Sequence, residues 1–356
     1  MTISISLDGI EYDGWDEAYV ERSIDNCASS FGFSTSSKEG KIIPIQEGDL
    51  VRIYTDGTLK TTGYIDSYEV GYDPKSHDII IKGRSKTQDF IDSTVPSIKE
   101  WENYSLYNLC KTIAAEFNID VIDLANAKDP FLNVIGAELG ETCFDFVKKF
   151  AARRQVLLTD DEYGRLVLSA PSQDLSDLSL QNIIGSENNN IKSANRKTNL
   201  AELFGVYIAQ IQGYPVDVTE FDTVQELIKT SEVVVDPEIR NTRLLEFFVD
   251  EIITINNIDI VSDIKQRAKW EMAMRRAKNF NYTATVAGHS YSGKQWVENM
   301  LYQIDDDFTN IKGQFFCNKI RWNYNLASGS TTTLNFTNKN AYTLQAERDK
   351  IILTDD

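Results

Sequence analysis

The apolar and polar positions of this chain repeat one β pattern twice, about 250 positions apart. The first run lies between Gly48 and Lys86. Its alternation predicts a strand at Leu50–Tyr54, an Asp56-Gly57 turn and a second strand from near Leu59, past Gly63, to Tyr72. A turn at Asp73-Pro74-Lys75-Ser76 then leads into a third strand, His77–Lys82. The second run begins at Asn299–Ile304, turns near Asp305-Asp306-Asp307 and passes Gly313. It continues through Phe315, Phe316, Ile320 and Trp322, turns at Ala327-Ser328-Gly329-Ser330, and returns along Thr331–Phe336. Asp-Gly and Asp-Pro turns between alternating apolar residues are hairpin signals. The two runs share a pattern with little identity. A chain with two equivalent units presents twice as many copies as it has subunits, so three chains would make a ring of six similar units.

The rest of the chain divides around these runs. Residues 1–95 read as all-β: Ile3, Ile5 and Leu7 alternate before Asp8-Gly9, and Trp15–Ile24 and Phe31–Thr35 supply further short strands. Close turns between short strands suggest a tube-like antiparallel barrel or sandwich. Residues 96–195 read as a small α+β domain and linker. Ser105 is placed to cap a helix with Leu106, Leu109, Cys110, Ile113 and Phe117 on one face, the spacing of an amphipathic helix. A second helix follows Thr142 and ends at Arg153-Arg154, cations at the negative helix terminus. A hairpin is expected at Val156–Thr159 and Arg165–Ser169. The Ser- and Asn-rich stretch 172–198 reads as a linker or excursion.

Residues 196–345 read as a second tube-like barrel with helical insertions. They include a long strand at Leu200–Gln210, a short helix at Val218–Thr230, strands at Leu244–Ile255, and strands near Tyr282–Ala287 and Val297–Ile304. The strongest helix pattern is Ser262–Phe280, with Trp270, Ala273, Met274, Ala277 and Phe280 on one arc. Residues 346–356 read as a tail. The expected class is therefore mainly β with α+β: two tube-like antiparallel β-barrels flanking a small α+β domain.

Composition narrows the function. The 356 residues carry a net charge of −18. Phosphate attraction needs a basic face, so specific nucleic-acid binding is disfavoured, as is docking on an anionic membrane. No apolar run is long enough to span a bilayer, and Met1–Leu7 alternates where a signal peptide would have a charged start and an apolar block. The four cysteines (Cys27, Cys110, Cys143 and Cys317) lack paired spacing and read as reduced, buried small residues of a protein made in a cytoplasm. The 16 Tyr and 17 Phe favour strands and suit an apolar subunit contact.

Candidate chemistry is sparse. The two histidines, His77 and His289, have no nucleophile at a recognisable spacing, and no Gly-x-Ser-x-Gly elbow occurs. Asp305-Asp306-Asp307 and Asp160-Asp161-Glu162 read as polar turns, lacking the spacing of a calcium loop. Gly83-Arg84-Ser85 reads as a turn with Arg84 paired to Asp89 or Asp92, more than as an anion site. Lys265, Arg267, Lys269, Arg275, Arg276 and Lys278 make a basic ridge, read first as a solvated helix face and second as a dock for an acidic neighbour. No catalytic, cofactor-binding or metal-ligating residue is assigned, and no cofactor is expected.

One family resemblance orders these observations. Arg22-Ser23-Ile24-Asp25 and Phe31, then Tyr72-Asp73, His77, Ile79, Gly83-Arg84-Ser85-Lys86 and Asp89-Phe90-Ile91-Asp92 follow an order that resembles the Mu-type baseplate hub proteins of contractile-tailed phages. Gly140-Glu141-Thr142 before Phe144, Gly164-Arg165-Leu166, and Gln295-Trp296-Val297 fit the same resemblance. It covers most of the chain and leaves out the excursion at residues 213–232. The resemblance implies a non-enzymatic structural protein of the virion tail baseplate. It implies a homotrimer whose two tube-like units per subunit mimic six-fold symmetry. That ring would join the tail tube protein to a trimeric tail spike protein beside other baseplate proteins, with DNA passing through without specific binding and no membrane insertion. The same architecture would serve an R-type bacteriocin or a type VI secretion-like spike. Readings from other classes are a tail-associated peptidoglycan hydrolase and a carbohydrate-binding protein using exposed Trp15, Trp101 or Trp322.

Overall fold

In a computed structural model, residues 2–37, 44–74, 76–96, 100–131, 134–154, 156–210, 231–237, 239, 243–248 and 260–339 are described. The expected helix at Val218–Thr230, most of the excursion 213–232, the strand beyond Phe248 and the tail 346–356 lie outside them. The chain forms two compact units: residues 1–196 with 282–337, and residues 197–281 with 338–356.

The first unit opens with β1 (Ile3–Leu7), β2 (Ile10–Tyr12), β3 (Glu17–Ser23), β4 (Ser30–Ser37), β5 (Leu50–Thr55), β6 (Thr58–Tyr72) and β7 (His77–Ser85). The turn between β5 and β6 is set by Asp56 and Gly57, both at positive φ (49° and 77°). That is the twist a two-residue hairpin requires. A helical segment follows: α1 (Gln88–Asp92), β8 (Glu100–Trp101), α2 (Leu106–Ala115), β9 (Val121–Asp123), β10 (Ile135–Gly136), α3 (Cys143–Arg154), β11 (Leu157–Asp160) and β12 (Leu166–Ser169). Ser105 Oγ caps α2 by accepting from Asn108 N–H at 3.1 Å. Thr142 Oγ1 caps α3 by accepting from Asp145 N–H at 3.1 Å. Leu106, Leu109, Cys110 and Ile113 of α2 pack against Phe146, Val147 and Phe150 of α3 in one apolar core.

Two strands expected as linker come next, β13 (Leu175–Asn182) and β14 (Ile191–Thr198). The second unit holds β15 (Val206–Gln210), β16 (Ser231–Val235), β17 (Leu244–Phe248) and α4 (Ile260–Asn279). There β15 pairs antiparallel with β16 and parallel with β17. The strand expected from Leu200 starts only at Val206, because Leu200–Leu203 turns back on itself. The buried stripe of α4 runs through Ile264 and Ala268 and reaches Met272 and Ala273. It is therefore centred away from the expected arc, of which Trp270 and Met274 stay half-buried.

The chain returns to the first unit with β18 (Phe280–Ala287), β19 (Ser290–Tyr291), β20 (Lys294–Gln295), β21 (Met300–Asp306), β22 (Ile311–Asn325) and β23 (Gly329–Asn338). The two expected meanders are thus present, each built on a 15-residue central strand, β6 and β22. Among the described residues both lie in one 13-stranded sheet whose main path is β14-β18-β23-β22-β3-β4-β7-β6-β5-β1-β2, with β21 and β13 branching from β22. The neighbour order β3-β4-β7-β6-β5 is matched, strand for strand, by β14-β18-β23-β22-β21. The match fails at the next strand: β1 runs antiparallel to β5, whereas β13 runs parallel to β21. The observed class is mainly β with α+β.

Candidate assembly surface

The two strand sets are joined by β22. Its first half, Ile311–Cys317, pairs with β21, and its second half, Lys319–Asn325, pairs antiparallel with Ser23–Glu17 of β3. The inner face of the joint is apolar, with Val20, Ile320 and Trp322 buried. The other face is held by opposite charges directly across the strands. Glu21 meets Lys319 at 2.6 Å and Arg321 at 3.7 Å. The Arg321 guanidinium lies 3.8 Å from the Tyr19 ring centre, a cation–π contact. Asn325 Nδ2 donates to Glu17 Oε1 at 2.8 Å.

Three further ties brace this joint. Lys60 of β6 is buried at 5% exposure, donates to Gln295 Oε1 and sits over the Trp322 ring. Burial lowers its pKa to about 8, a shift opposed by Glu298 and assisted by Arg22. Arg22 Nε pairs with Glu298 at 3.1 Å, and its Nη2 donates to the Asp160 carbonyl at 3.2 Å. The Asp160 carboxylate accepts from Ser29 N–H at 3.0 Å and Ser29 Oγ at 2.9 Å. Burial raises the Asp160 pKa, against the pull of Arg22 and the hydrogen bonds. These contacts fasten the helical segment to the loop between β3 and β4.

The acidic turns are structural. Asp306 accepts from the Tyr282 hydroxyl at 2.7 Å and from Asn182 Nδ2 at 3.0 Å. Burial pushes the Asp306 carboxyl up, but the hydrogen bonds from Thr309, Tyr282 and Asn182 hold it below its usual range. Asp161 closes its own turn by accepting from Tyr163 N–H and Arg165 N–H, each at 3.0 Å. Among the described residues, no group of three His, Cys, Asp or Glu is arranged to hold a metal. His77 stacks on Tyr72, and His289 Nε2 lies 2.9 Å from the Asn323 carbonyl oxygen. Arg84 is clamped by Asp92 at 2.7 Å and Asp66 at 2.8 Å, which raises its pKa and occupies the anion site considered at Gly83-Arg84-Ser85.

Two expectations are corrected here. Trp15, Trp101 and Trp322 are buried, at 3%, 5% and 1% exposure, so they offer no exposed platform for a sugar. Three of the six cations on the α4 ridge are engaged inside their own unit. Arg267 and Arg275 both bond Glu271, Arg276 bonds the buried Asp236, and Arg275 lies over Phe204.

The comparisons with known proteins agree with this architecture. Residues 2–85 match the family described as Mu phage baseplate assembly protein GpP-like, N-terminal. Residues 87–170 match the family described as baseplate hub protein gp44-like, second domain. The first 170 residues thus carry two successive domains of Mu-type baseplate hub proteins. Baseplate hub protein gp44 of Escherichia phage Mu is 24% identical to this chain over 98% of the chain and 91% of its own length. Two solved structures share the fold. One is the 43 kDa tail protein of prophage MuSo2 from Shewanella oneidensis, with TM-score 0.81 and 24% identity over 96% of this chain and 99% of that one. The other is the tail protein of Neisseria meningitidis MC58, with TM-score 0.80 and 21% identity over 97% and 98%. A hub of this type is a structural component of the virion tail baseplate and associates with other tail proteins.

Proposed function

We propose that three copies of this hub close into a ring that presents six similar β modules, joins a six-fold tail tube to a three-fold spike and surrounds the channel through which DNA passes. The observation that carries this reading is the repeated neighbour order β3-β4-β7-β6-β5 and β14-β18-β23-β22-β21 within one sheet. Residues 1–95 and 196–345 would supply the two ring modules. Residues 96–195 would lie between them in the chain, with β13 and β14 completing the second module. Among the described residues the sheet is open within one chain. Tube-like closure of the modules would therefore come from neighbouring copies, which removes exposed strand edges. The net charge of −18 suits a conduit, since carboxylates repel phosphate and leave DNA mobile.

The role is that of a scaffold without catalysis. The acidic clusters are occupied in turns, His77 stacks on Tyr72, and His289 lies between the Asn323 carbonyl and the Asp56 carboxylate. Light scattering together with electron microscopy of the purified protein tests the ring: threefold particles with a central hole are expected, and a strict monomer at high concentration, alone and with tube and spike proteins, would overturn it. A peptidoglycan zymogram tests the scaffold role. No cleared band is expected, and a band that persists on purification would overturn it.

A further inference from the structure

The turns that lead into the two long strands are equivalent in place and unlike in character. Every pairing along β22-β3-β4-β7-β6 is antiparallel, so β22 and β6 run in the same direction. The turn before each therefore lies at the same end of the sheet. The turn before β6, Asp56-Gly57, is polar and already engaged. Asp56 Oδ1 accepts from Thr2 N–H at 2.9 Å, Asp56 N–H donates to the Thr2 carbonyl at 3.0 Å, and Asp56 Oδ2 lies 3.5 Å from His289 Nδ1. The turn before β22 instead carries Phe308 at 90% exposure, and the neighbouring loop between β13 and β14 carries Ile184 at 86%.

This apolar pair stands on a fixed mount. Ile184 N–H donates to Asp307 Oδ2 at 2.9 Å, and Asp307 N–H donates to the Asn182 carbonyl at 3.1 Å, which ties the two loops together. Arg196 Nη1 donates to the carbonyls of Thr309 and Asn310, each at 3.1 Å. Asn189 closes the other loop by accepting from Ile183 N–H at 2.8 Å and donating to the Ile183 carbonyl at 3.0 Å. At the base of the turn Lys312 and Asp305 form an ion pair at 3.0 Å. Apolar residues scattered singly over a surface are ordinary. Two nearly bare ones on loops bonded to each other, preorganised and with charges at their rim, have the anatomy of a binding hot spot.

The symmetry of a ring selects the partner. Three copies would present six such turns at this end of the sheet, of which every second one is the apolar tip and the others are the engaged Asp56-Gly57 turn. A six-fold partner would meet the wrong turn at alternate positions, whereas a three-fold partner has one site for each tip. The helical segment, also present once per chain, is fastened near the same end, where Thr62 Oγ1 of β6 donates to the Glu162 carbonyl at 2.9 Å.

We propose, on the ring reading above, that the Ile184–Phe308 tip is the contact with the three-fold spike, each tip seating its two side chains in an apolar pocket of one spike subunit. The six-fold tube then takes the opposite end of the modules.

Photo-crosslinking in the full-length hub tests this contact. p-Benzoylphenylalanine in place of Phe308 is irradiated with the purified spike trimer and, separately, with the purified tube protein of the same tail. An adduct with the spike is expected and an adduct with the tube is not. The double variant Ile184→Asp with Phe308→Asp is expected to lose spike affinity by about 30-fold or more, with tube affinity unchanged and the trimer intact by light scattering. A trimeric hub that gives no spike adduct, that crosslinks to the tube, or whose double variant binds the spike as wild type does overturns the tip assignment and leaves the ring standing. A double variant that no longer forms the trimer makes the tip a contact between copies and also overturns the assignment. A wild-type monomer, alone and with both partners, overturns ring and tip together.

Discussion

The ammonium of Lys60 lies 4.3 Å from the centre of the Trp322 ring. One residue belongs to the first meander and the other to the second, so the contact locks the two sets together across the composite sheet. It also gives this part of the molecule a pH dependence with a defined sign. The folded pKa of Lys60 is about 8, against an ordinary value of 10.5, because burial disfavours the charged form. Between those values the unfolded chain binds more protons than the folded protein, so the stability contributed by this group rises with pH. Below pH 8 the burial penalty is fully present. The upper limit of the change is about 3 kcal/mol. In urea titrations from pH 7 to 10.5, wild type should gain stability relative to Lys60→Met. A difference between the two proteins that does not vary with pH would remove this account.

Gly63 and Gly71 lie on the same strand and should respond oppositely to a side chain. A Cβ at Gly63 would fall 1.9 Å from the carbonyl oxygen of Arg84, backbone that cannot move without opening β7. A Cβ at Gly71 meets nothing within 4 Å. Gly63→Ala is expected to cost about 3 kcal/mol or more, and Gly71→Ala to stay within about 0.5 kcal/mol. Thermal unfolding followed by tryptophan fluorescence checks both, and equal melting temperatures would contradict the close approach.

Gly313 has a different reason for being glycine. Its φ is +133°, and an added Cβ would meet nothing within 4 Å. The cost of Gly313→Val is therefore backbone strain alone, about 1–3 kcal/mol. The expected result is a lowered urea midpoint, with Gly313→Ala lowered as well. If only valine lowers it, crowding is the cause and the strain argument fails.

Asp160 should matter beyond its own hairpin. Its carboxylate holds Ser29, which stands next to the first residue of β4. Asp160→Ala leaves the buried Ser29 N–H without that acceptor, a loss of about 1–3 kcal/mol. Hydrogen exchange should then speed up in the loop 24–29 as well as in β11 and β12. Faster exchange confined to β11 and β12 would show that the tie carries no weight.

Some of this fold is legible in the residues, and the physical reasons are specific. The two meanders can be read because Asp56-Gly57 fixes a hairpin twist and because β5 and β21 each bury one face. The Ser105 cap can be read because a hydroxyl at that position satisfies an otherwise unpaired N–H. In contrast β14, Ile191-Lys192-Ser193-Ala194-Asn195-Arg196-Lys197-Thr198, buries neither face fully. It has no alternation to detect, because period two arises only when one side of a strand is covered. The buried stripe of α4 departs from its apolar arc for a related reason. Trp270 is apolar in sequence but stays half-buried, with the Arg267 guanidinium 4.5 Å from its ring centre, while Ala268 takes the core position. The Lys60–Trp322 contact has no local signal, since neither residue's neighbours along the chain indicate the other.

The pairing of Glu17–Ser23 with Lys319–Asn325 also sets a timetable for biosynthesis. The ribosome must add about 300 further residues after β3 before its partner emerges. At roughly 5–20 residues per second, that delay is about 15–60 s. Throughout it the nascent amino-terminal half shows a bare, partly apolar ribbon edge to every other chain nearby. Acidic Glu17 and Glu21 on that ribbon are then a safeguard against premature clumping, at work before the tail exists.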